Sequence, residues 1–194
     1  MFEELKITEK DIEKLNLDDE KLRAFNCGGY AFNIKEWYSP YESLCERMTE
    51  IYDMYEYQMS KENIFYKVLE RDIKQILCDF PEYTLIKKEE VSKYMVKNTE
   101  IIAYRNMIVL SGILKDEEIS FITDDEDEWP DFKDVLEYDL DMDFHFKVYR
   151  NGGWSEKNGG WKIKDCDTPS EEEPWVCKDL YYDGPIAYFI RKEK

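Results

Sequence analysis

The chain is poor in the residues that metal sites and disulfide frameworks require. It has one histidine, His145, and five cysteines that are scattered without any CxxC pair. An odd number of unpatterned cysteines favours free thiols in a reducing, cytoplasmic setting. A single histidine and the lack of paired cysteines argue against a structural zinc site. We therefore expect neither a metal nor another cofactor.

Long apolar runs and net positive charge are also missing. No run is long enough to span a bilayer and no apolar segment follows Met1, so neither membrane insertion nor export is expected. The 45 acidic residues exceed the 27 basic ones and give a net charge of −18. This charge opposes binding to anionic lipid or to the phosphates of DNA and RNA. It would attract a protein or peptide with a basic surface.

The remaining composition suits a folded domain. Hydrophobic residues make up 43% of the chain and aromatic residues 15%, which is enough to build a core despite the high charge. A length of 194 residues fits one domain. We predict a single α+β domain over 1–194. Its first part, 1–80, is mainly helical, and 83–194 is mainly antiparallel β with an acidic insertion at 116–143.

Helical spacing of apolar residues dominates the first part. A short helix is predicted from Thr8 to Leu17, and the stripe that begins at Tyr30 predicts another that continues to the Ser39-Pro40 break. Two more stripes predict helices over 44–55 and 64–77, the second with Ser60 as N-cap.

Short apolar or alternating runs dominate the second part. Between 143 and 150 the alternation places Phe144, Phe146 and Val148 on one face and His145 on the other. Gly-containing turns at 151–153 and 158–160 predict an antiparallel meander. Further strands are predicted at 83–86, 100–105 and 185–191, the last one inside the sheet, with a helix at 88–97.

The insertion at 116–143 carries fourteen acidic residues against one basic residue, Lys133. It is either a solvated loop anchored by its aromatic residues or an arm that meets a basic partner. In the second case the contact residues would be Asp124, Asp125, Glu126, Asp127, Glu128 and Trp129. Alternating aspartates at 139, 141 and 143 could hold a hard cation, but the glycine and terminal glutamate of a calcium loop are missing.

Cys27 has the sequence context of a nucleophile. It follows Asn26, precedes Gly28 and Gly29, and leads into a helical stripe. The glycines let another backbone approach, and a helix N-terminus is expected to lower the thiol pKa. His145 could then act as its base. The alternative is that Cys27 is a small buried hydrophobic residue.

Three motifs carry a resemblance to a known family. They are Asn26-Cys27-Gly28-Gly29-Tyr30-Ala31, Asp143-Phe144-His145-Phe146 followed by Tyr149-Arg150, and the stretch from Gly153 to Gly160. A helix-borne cysteine followed by a sheet with an early histidine resembles papain-like and NlpC/P60-like cysteine hydrolases. The motifs resemble more closely an uncharacterised family of phage and Firmicutes proteins, over about a third of the chain.

The resemblance implies a fold and a set of roles. N-terminal helices would pack on a C-terminal antiparallel sheet, with Cys27 as nucleophile and His145 as base. Glu156 stands where relatives more often carry a second histidine in a Trp-x-His-Lys pattern. Either Glu156 or Asp143 would orient the imidazole. Oxyanion donors would be the Cys27 backbone N–H and a neighbour, Asn26 or Tyr30.

Two functions follow from these observations. The first is a cysteine hydrolase of phage or mobile-element origin that acts by acyl transfer on a peptide or other amide bond. It requires Cys27 and His145 to meet across a groove. The second is a non-catalytic, phage-encoded acidic inhibitor, similar to anti-CRISPR proteins, that occupies the basic nucleic-acid groove of a host defence nuclease such as a Cas protein.

Overall fold

A computed structural model describes residues 23–41, 44–56, 59–111, 139–177 and 180–192. It shows the predicted α+β class, with helices beside an antiparallel sheet. Its helices are α1 (Cys27–Phe32), α2 (Leu44–Glu56), α3 (Lys61–Asp79), a 3-10 helix (Lys88–Glu90) and α4 (Val91–Val96). The predicted helix at Thr8–Leu17 lies outside the described residues.

Among the described residues, the main sheet has six strands in the order β1-β8-β2-β3-β4-β5, and every pairing between them is antiparallel. Strands β6 and β7 form a separate two-stranded ribbon. The strands are β1 (Tyr83–Ile86), β2 (Ile101–Ser111), β3 (Asp139–Arg150), β4 (Gly153–Lys157), β5 (Ile163–Asp165), β6 (Trp175–Cys177), β7 (Leu180–Tyr182) and β8 (Ala187–Arg191).

The sheet has two covered faces. The helix face carries Phe144 and Phe146 of β3, which pack with buried residues of α1 and α3. The ribbon face carries Tyr149 and Trp154, which pack under Trp175 and Tyr182 of the ribbon together with residues of α4. The predicted alternation along β3 is therefore confirmed. Its consequence is that neighbouring residues of β3 belong to different buried clusters.

Several local predictions are confirmed. Helix α3 begins after Ser60, whose hydroxyl accepts a hydrogen bond from the Asn63 N–H at 3.3 Å. The two turns with glycine join β3, β4 and β5 into the expected meander, and Gly152 has the positive φ of 85° that such a turn favours. Strand β8 lies between β1 and β2, inside the sheet as predicted.

The helix predicted from Tyr30 is too long. It ends at Phe32 because Asn33 adopts the left-handed conformation, with φ of 59°, and its N–H bonds to carbonyls of the last turn. The apolar residues beyond it belong to an irregular segment in which Ile34 and Tyr38 are buried and Trp37 is 61% exposed. Apolar residues at helical spacing are thus buried there by a segment that is not a helix.

The ribbon was not predicted. Its two strands have three residues each, and the sequence around them shows no sustained alternation. Among the described residues, no helix is both long and apolar enough to cross a membrane. The assignment of the whole chain to one domain stays a prediction.

Candidate active site around strand β3

Asn26 fixes the start of helix α1. Its side-chain oxygen accepts hydrogen bonds from the N–H groups of Gly29, at 2.9 Å, and Tyr38, at 3.0 Å. Its amide nitrogen donates to the Tyr38 carbonyl at 2.8 Å. The buried side chain thus joins the N-terminus of α1 to the irregular segment that follows it. The expected oxyanion role of Asn26 stays a prediction.

The two glycines after Cys27 are required by close approach. A Cβ at Gly28 would lie 2.7 Å from the Tyr38 carbonyl oxygen, and one at Gly29 would overlap the carbonyl oxygen of Glu36. The returning segment 36–38 therefore packs directly on the backbone of α1. The prediction that these glycines admit another backbone is confirmed.

Cys27 is the first residue of α1 and is buried. Its thiol donates a weak hydrogen bond to the Phe144 carbonyl of β3, with Sγ and oxygen 3.9 Å apart. Burial, and secondarily the negative charge of Asp143, raises the pKa of the thiol to about 12. Backbone N–H groups of Phe146 and of Gly28, at the start of α1, do lower the pKa. The expected net lowering is nevertheless wrong, because removal of the thiol from water outweighs them.

His145 lies on the ribbon face of β3. Its ring centroid is 5.3 Å from that of Tyr182 and 6.3 Å from that of Trp175. These ribbon side chains cover the imidazole, so it is buried rather than solvated. Its Nε2 lies 3.3 Å from Oε2 of Glu156 on the neighbouring strand β4.

Glu156 sits among three cationic or proton-bearing groups. Besides His145, its carboxylate meets Lys164 Nζ at 2.9 Å and Lys147 Nζ at 3.7 Å. Burial alone would raise its pKa, but hydrogen bonds from His145 and Lys164, with the nearby charge of Lys147, lower it to about 2. Glu156 is therefore an anion at neutral pH and can hold the imidazole by Nε2.

Asp143 does not share this role. Its Oδ2 accepts a hydrogen bond from the Tyr182 hydroxyl at 2.7 Å, and its Oδ1 accepts from the Phe144 N–H at 2.7 Å. Of the two carboxylates considered for orienting His145, the structure brings Glu156 to the ring and directs Asp143 to the ribbon. Tyr30, the other oxyanion candidate, pairs its hydroxyl with Ser155 Oγ at 2.7 Å.

Cys27 contacts β3 at the residue before His145, but the two side chains lie in different surroundings. Cys27 packs in the helix-face cluster, whereas His145 packs against the ribbon. No hydrogen bond joins them in the described part of the chain, and the expected contact across a groove stays a prediction. The thiol's acceptor, Phe144, is nevertheless the residue immediately before His145. The catalytic roles of both residues stay predictions.

Two cavities lie elsewhere on the described surface. One of about 680 Å³ is lined by Tyr41, Arg47 and Arg71 among others, and one of about 420 Å³ by Phe65 and Arg105. Neither has Cys27 or His145 in its lining. The expected solvent-reaching cleft therefore does not coincide with either cavity.

Sequence reasoning missed two cations that hold α1 in place. Arg150 donates to the carbonyls of Tyr30, at 3.2 Å, and Ala31, at 2.7 Å. Lys157, fully buried at the end of β4, donates to the Phe25 carbonyl at 2.6 Å. The alternation of β4 could have indicated Lys157, because it shares a strand face with Ser155 rather than with Glu156.

The remaining predicted contacts are not part of this site. Asp124, Asp125, Glu126, Asp127, Glu128 and Trp129 lie outside the described residues. Within the described ranges, no group of three or more histidine, cysteine, aspartate or glutamate side chains could hold a metal ion.

Comparison of the chain with protein-family models, with curated proteins and with solved structures finds no match in any of the three.

Proposed function

We propose that this protein is a cysteine hydrolase of papain-like arrangement, with Cys27 as nucleophile, His145 as base and Glu156 as the group that orients the base. One observation carries the proposal. The Cys27 thiol bonds the backbone of β3 at the residue before His145, while Glu156 holds the imidazole by Nε2. This arrangement leaves Nδ1 as the ring nitrogen for proton exchange with a thiol.

The reaction would be acyl transfer from an amide. The sulfur of Cys27 attacks the carbonyl carbon as its proton passes to His145, which gives that proton to the departing amine when the C–N bond breaks. Water then attacks the thioester, a proton returns through His145, and the acid is released with Cys27 again a thiol. Glu156 stabilises the imidazolium that forms in each half of the reaction.

The raised pKa of Cys27 restricts the mechanism. At neutral pH the thiol is protonated, so an ion pair of thiolate and imidazolium is not the resting state. Proton transfer must accompany attack, and the imidazole has to reach the thiol when substrate binds. Catalysis thus depends on a rearrangement of side chains at β3.

Labelling of the native protein with an iodoacetamide probe, resolved by peptide mass spectrometry, tests the proposal. Cys27→Ser should remove the label at this position, and His145→Ala should slow labelling of Cys27 by tenfold or more. Cys78→Ser is the matched control, since Cys78 is an exposed thiol on α3. Hydrolysis of a peptide amide library should require both Cys27 and His145. Native Cys27 that stays unlabelled while Cys78 reacts would contradict the proposal.

The net charge of −18 favours a second candidate, the acidic inhibitor of a host defence nuclease. Its contact residues would be those named between 124 and 129. Binding to a purified Cas nuclease, measured at rising salt, should weaken steeply, and replacing these carboxylates by amides should reduce it. Cys27→Ser should bind as the wild type does. Binding that is absent at low salt would contradict this candidate.

A further inference from the structure

Lys157 is buried in an unusual way for a lysine. It is the last residue of β4 and its side chain is fully inaccessible to solvent. The ammonium donates to the carbonyl oxygens of Phe25, at 2.6 Å, and of Gly159. It also lies 4.6 Å from the centroid of the Phe25 ring. These contacts connect the β4–β5 turn to the segment that enters α1.

The described partners of this ammonium are neutral. Lys147 and Lys164, by contrast, both face the carboxylate of Glu156. A buried ammonium whose partners are carbonyls loses its hydration without gaining an opposite charge, which is unfavourable for folding. Such a group is more often found where function needs the charge.

The candidate nucleophile is the group that could supply the opposite charge. Phe25 precedes Cys27 by two residues, so the carbonyl held by Lys157 belongs to the backbone that places the thiol. Cys27, Phe25 and the residues that surround them belong to the helix-face cluster. Electrostatic interaction between Lys157 and Cys27 adds to this proximity.

We infer that Lys157 is a positioning residue for Cys27: it fixes the approach to α1 and supplies the positive charge that stabilises the thiolate formed during attack. This inference rests on the proposed function, because a thiolate has to form for the charge to matter. The residue acts through the thiol and makes no contact with substrate in this role.

The protonation states agree with this role. Burial lowers the pKa of Lys157 to about 8, although the nearby Cys27 partly opposes this shift. The lysine is therefore still charged at pH 7. Because the coupling between two titrating groups is reciprocal, the ammonium must lower the pKa of the thiol relative to a chain that lacks it.

Other titratable groups near Cys27 act in the opposite sense. The carboxylate of Asp143 and the thiol of Cys177 both raise its pKa. His145 and Glu156 are further ionisable groups near this segment, and the hydroxyls of Tyr41 and Tyr182 also interact with Cys27. A test of Lys157 must therefore change this residue alone.

The test measures how fast Cys27 reacts at a pH at which Lys157 is charged. The rate of Cys27 alkylation by iodoacetamide is measured at pH 7 for the wild type, Lys157→Met and Lys157→Arg by peptide mass spectrometry. Circular dichroism confirms that each variant retains the fold. Because alkylation requires the thiolate, the rate should fall about tenfold in Lys157→Met and stay within about twofold of the wild type in Lys157→Arg. The difference between the wild type and Lys157→Met should disappear at about pH 10, where Lys157 is neutral.

The outcomes separate this inference from the proposed function. Equal alkylation rates at pH 7 in the wild type and folded Lys157→Met would overturn the role of Lys157, even if hydrolysis requires Cys27 and His145. Slower alkylation in Lys157→Met, together with hydrolysis that is absent from every protein, would overturn the enzyme and leave the electrostatic role supported. If Lys157→Met does not fold, Lys157→Arg decides: a rate that falls about tenfold although the positive charge is retained would contradict a role based on charge.

Discussion

Two buried carboxylates, on opposite faces of the sheet, respond in opposite ways to burial. Asp72 of α3 lies on the helix face, with Arg47 Nη2 2.8 Å from Oδ1 and the Tyr104 hydroxyl 2.6 Å from Oδ2. Burial raises its pKa to about 6 despite these partners. On the ribbon face, the partners of Glu156 outweigh burial and its pKa falls to about 2.

The difference lies in the number of partners that carry or can take a positive charge. Among the described residues, Asp72 pairs with one guanidinium, that of Arg47, while Arg71 acts on it from farther away. Glu156 pairs with two ammonium groups and an imidazole. One buried cation does not compensate for the lost hydration of a carboxylate, but several do. Glu156 is therefore ionised beside His145 at neutral and mildly acidic pH. Asp72 is a structural group that takes up a proton at mildly acidic pH.

The largest effect is expected from removal of Arg47, the cation that pairs directly with Asp72. Arg47→Met should lower the free energy of unfolding by about 3 to 5 kcal/mol at pH 8, because it leaves a buried carboxylate unpaired. The loss should be smaller at pH 5, where Asp72 can take up a proton. Urea unfolding at both pH values measures it.

The matched control is Arg71→Met, which breaks an exposed pair with Glu50 and acts on Asp72 only from farther away than Arg47 does. It should change stability by less than about 1 kcal/mol. Equal losses in the two variants would show that burial of the ion pair is not what distinguishes Arg47.

Glu156→Gln tests the other carboxylate through the reactivity of Cys27. It keeps the shape of the side chain but removes the charge that stabilises a protonated His145, so labelling of Cys27 should slow by about 10- to 100-fold. Asp72→Asn, which removes a buried charge on the helix face, should leave labelling within about twofold of the wild type. Equal slowing in both would indicate a general effect of destabilisation.

The pH dependence of stability should have opposite signs for the two groups. Glu156, with a lowered pKa, contributes stability that is complete above pH 4.5 and is lost as the pH falls towards 2, by about 2 to 3 kcal/mol after allowance for screening. Asp72, with a raised pKa, opposes folding above pH 6, and this penalty of about 3 kcal/mol is relieved as the pH falls from 6 to 3.8.

Urea unfolding from pH 8 to 2 measures both slopes. Relative to the wild type, Asp72→Asn should remove the change between pH 6 and 4, and Glu156→Gln the change below pH 4.5. A wild-type profile that these substitutions leave unaltered would contradict both assignments.

Local sequence patterns predicted the strands around the site but not the ribbon that covers His145. The alternation about His145 and the two turns with glycine fixed β3, β4 and β5, because these signals are short-range. Burial of His145 depends on the ribbon, whose Trp175 and Tyr182 come from strands too short to show a period. The length of α1 depended on the left-handed Asn33, which apolar spacing does not report.

Pairings across the fold were the second source of error. The sequence offered Asp143 and Glu156 equally as partners of His145, and the register of Lys147 opposite Glu156 decides between them. The burial of Lys157 likewise depends on the fact that the segment with Phe25, distant in sequence, packs at the end of β4. Such choices depend on register and on long-range packing, so a single sequence without neighbours in space could not make them.

The smallest effect is expected at Lys164, the exposed partner of Glu156. Its ammonium contacts Glu156 at 2.9 Å, but the side chain is 54% exposed, so solvent weakens the attraction. Lys164→Met should change the free energy of unfolding by less than about 1 kcal/mol and leave labelling of Cys27 unchanged. Lys147→Met, which removes the buried partner beside Trp175, should have the larger effect on both measurements. If Lys164→Met slows labelling as much as Glu156→Gln does, the anionic state of Glu156 depends on this exposed lysine, and the buried partners are insufficient to maintain it.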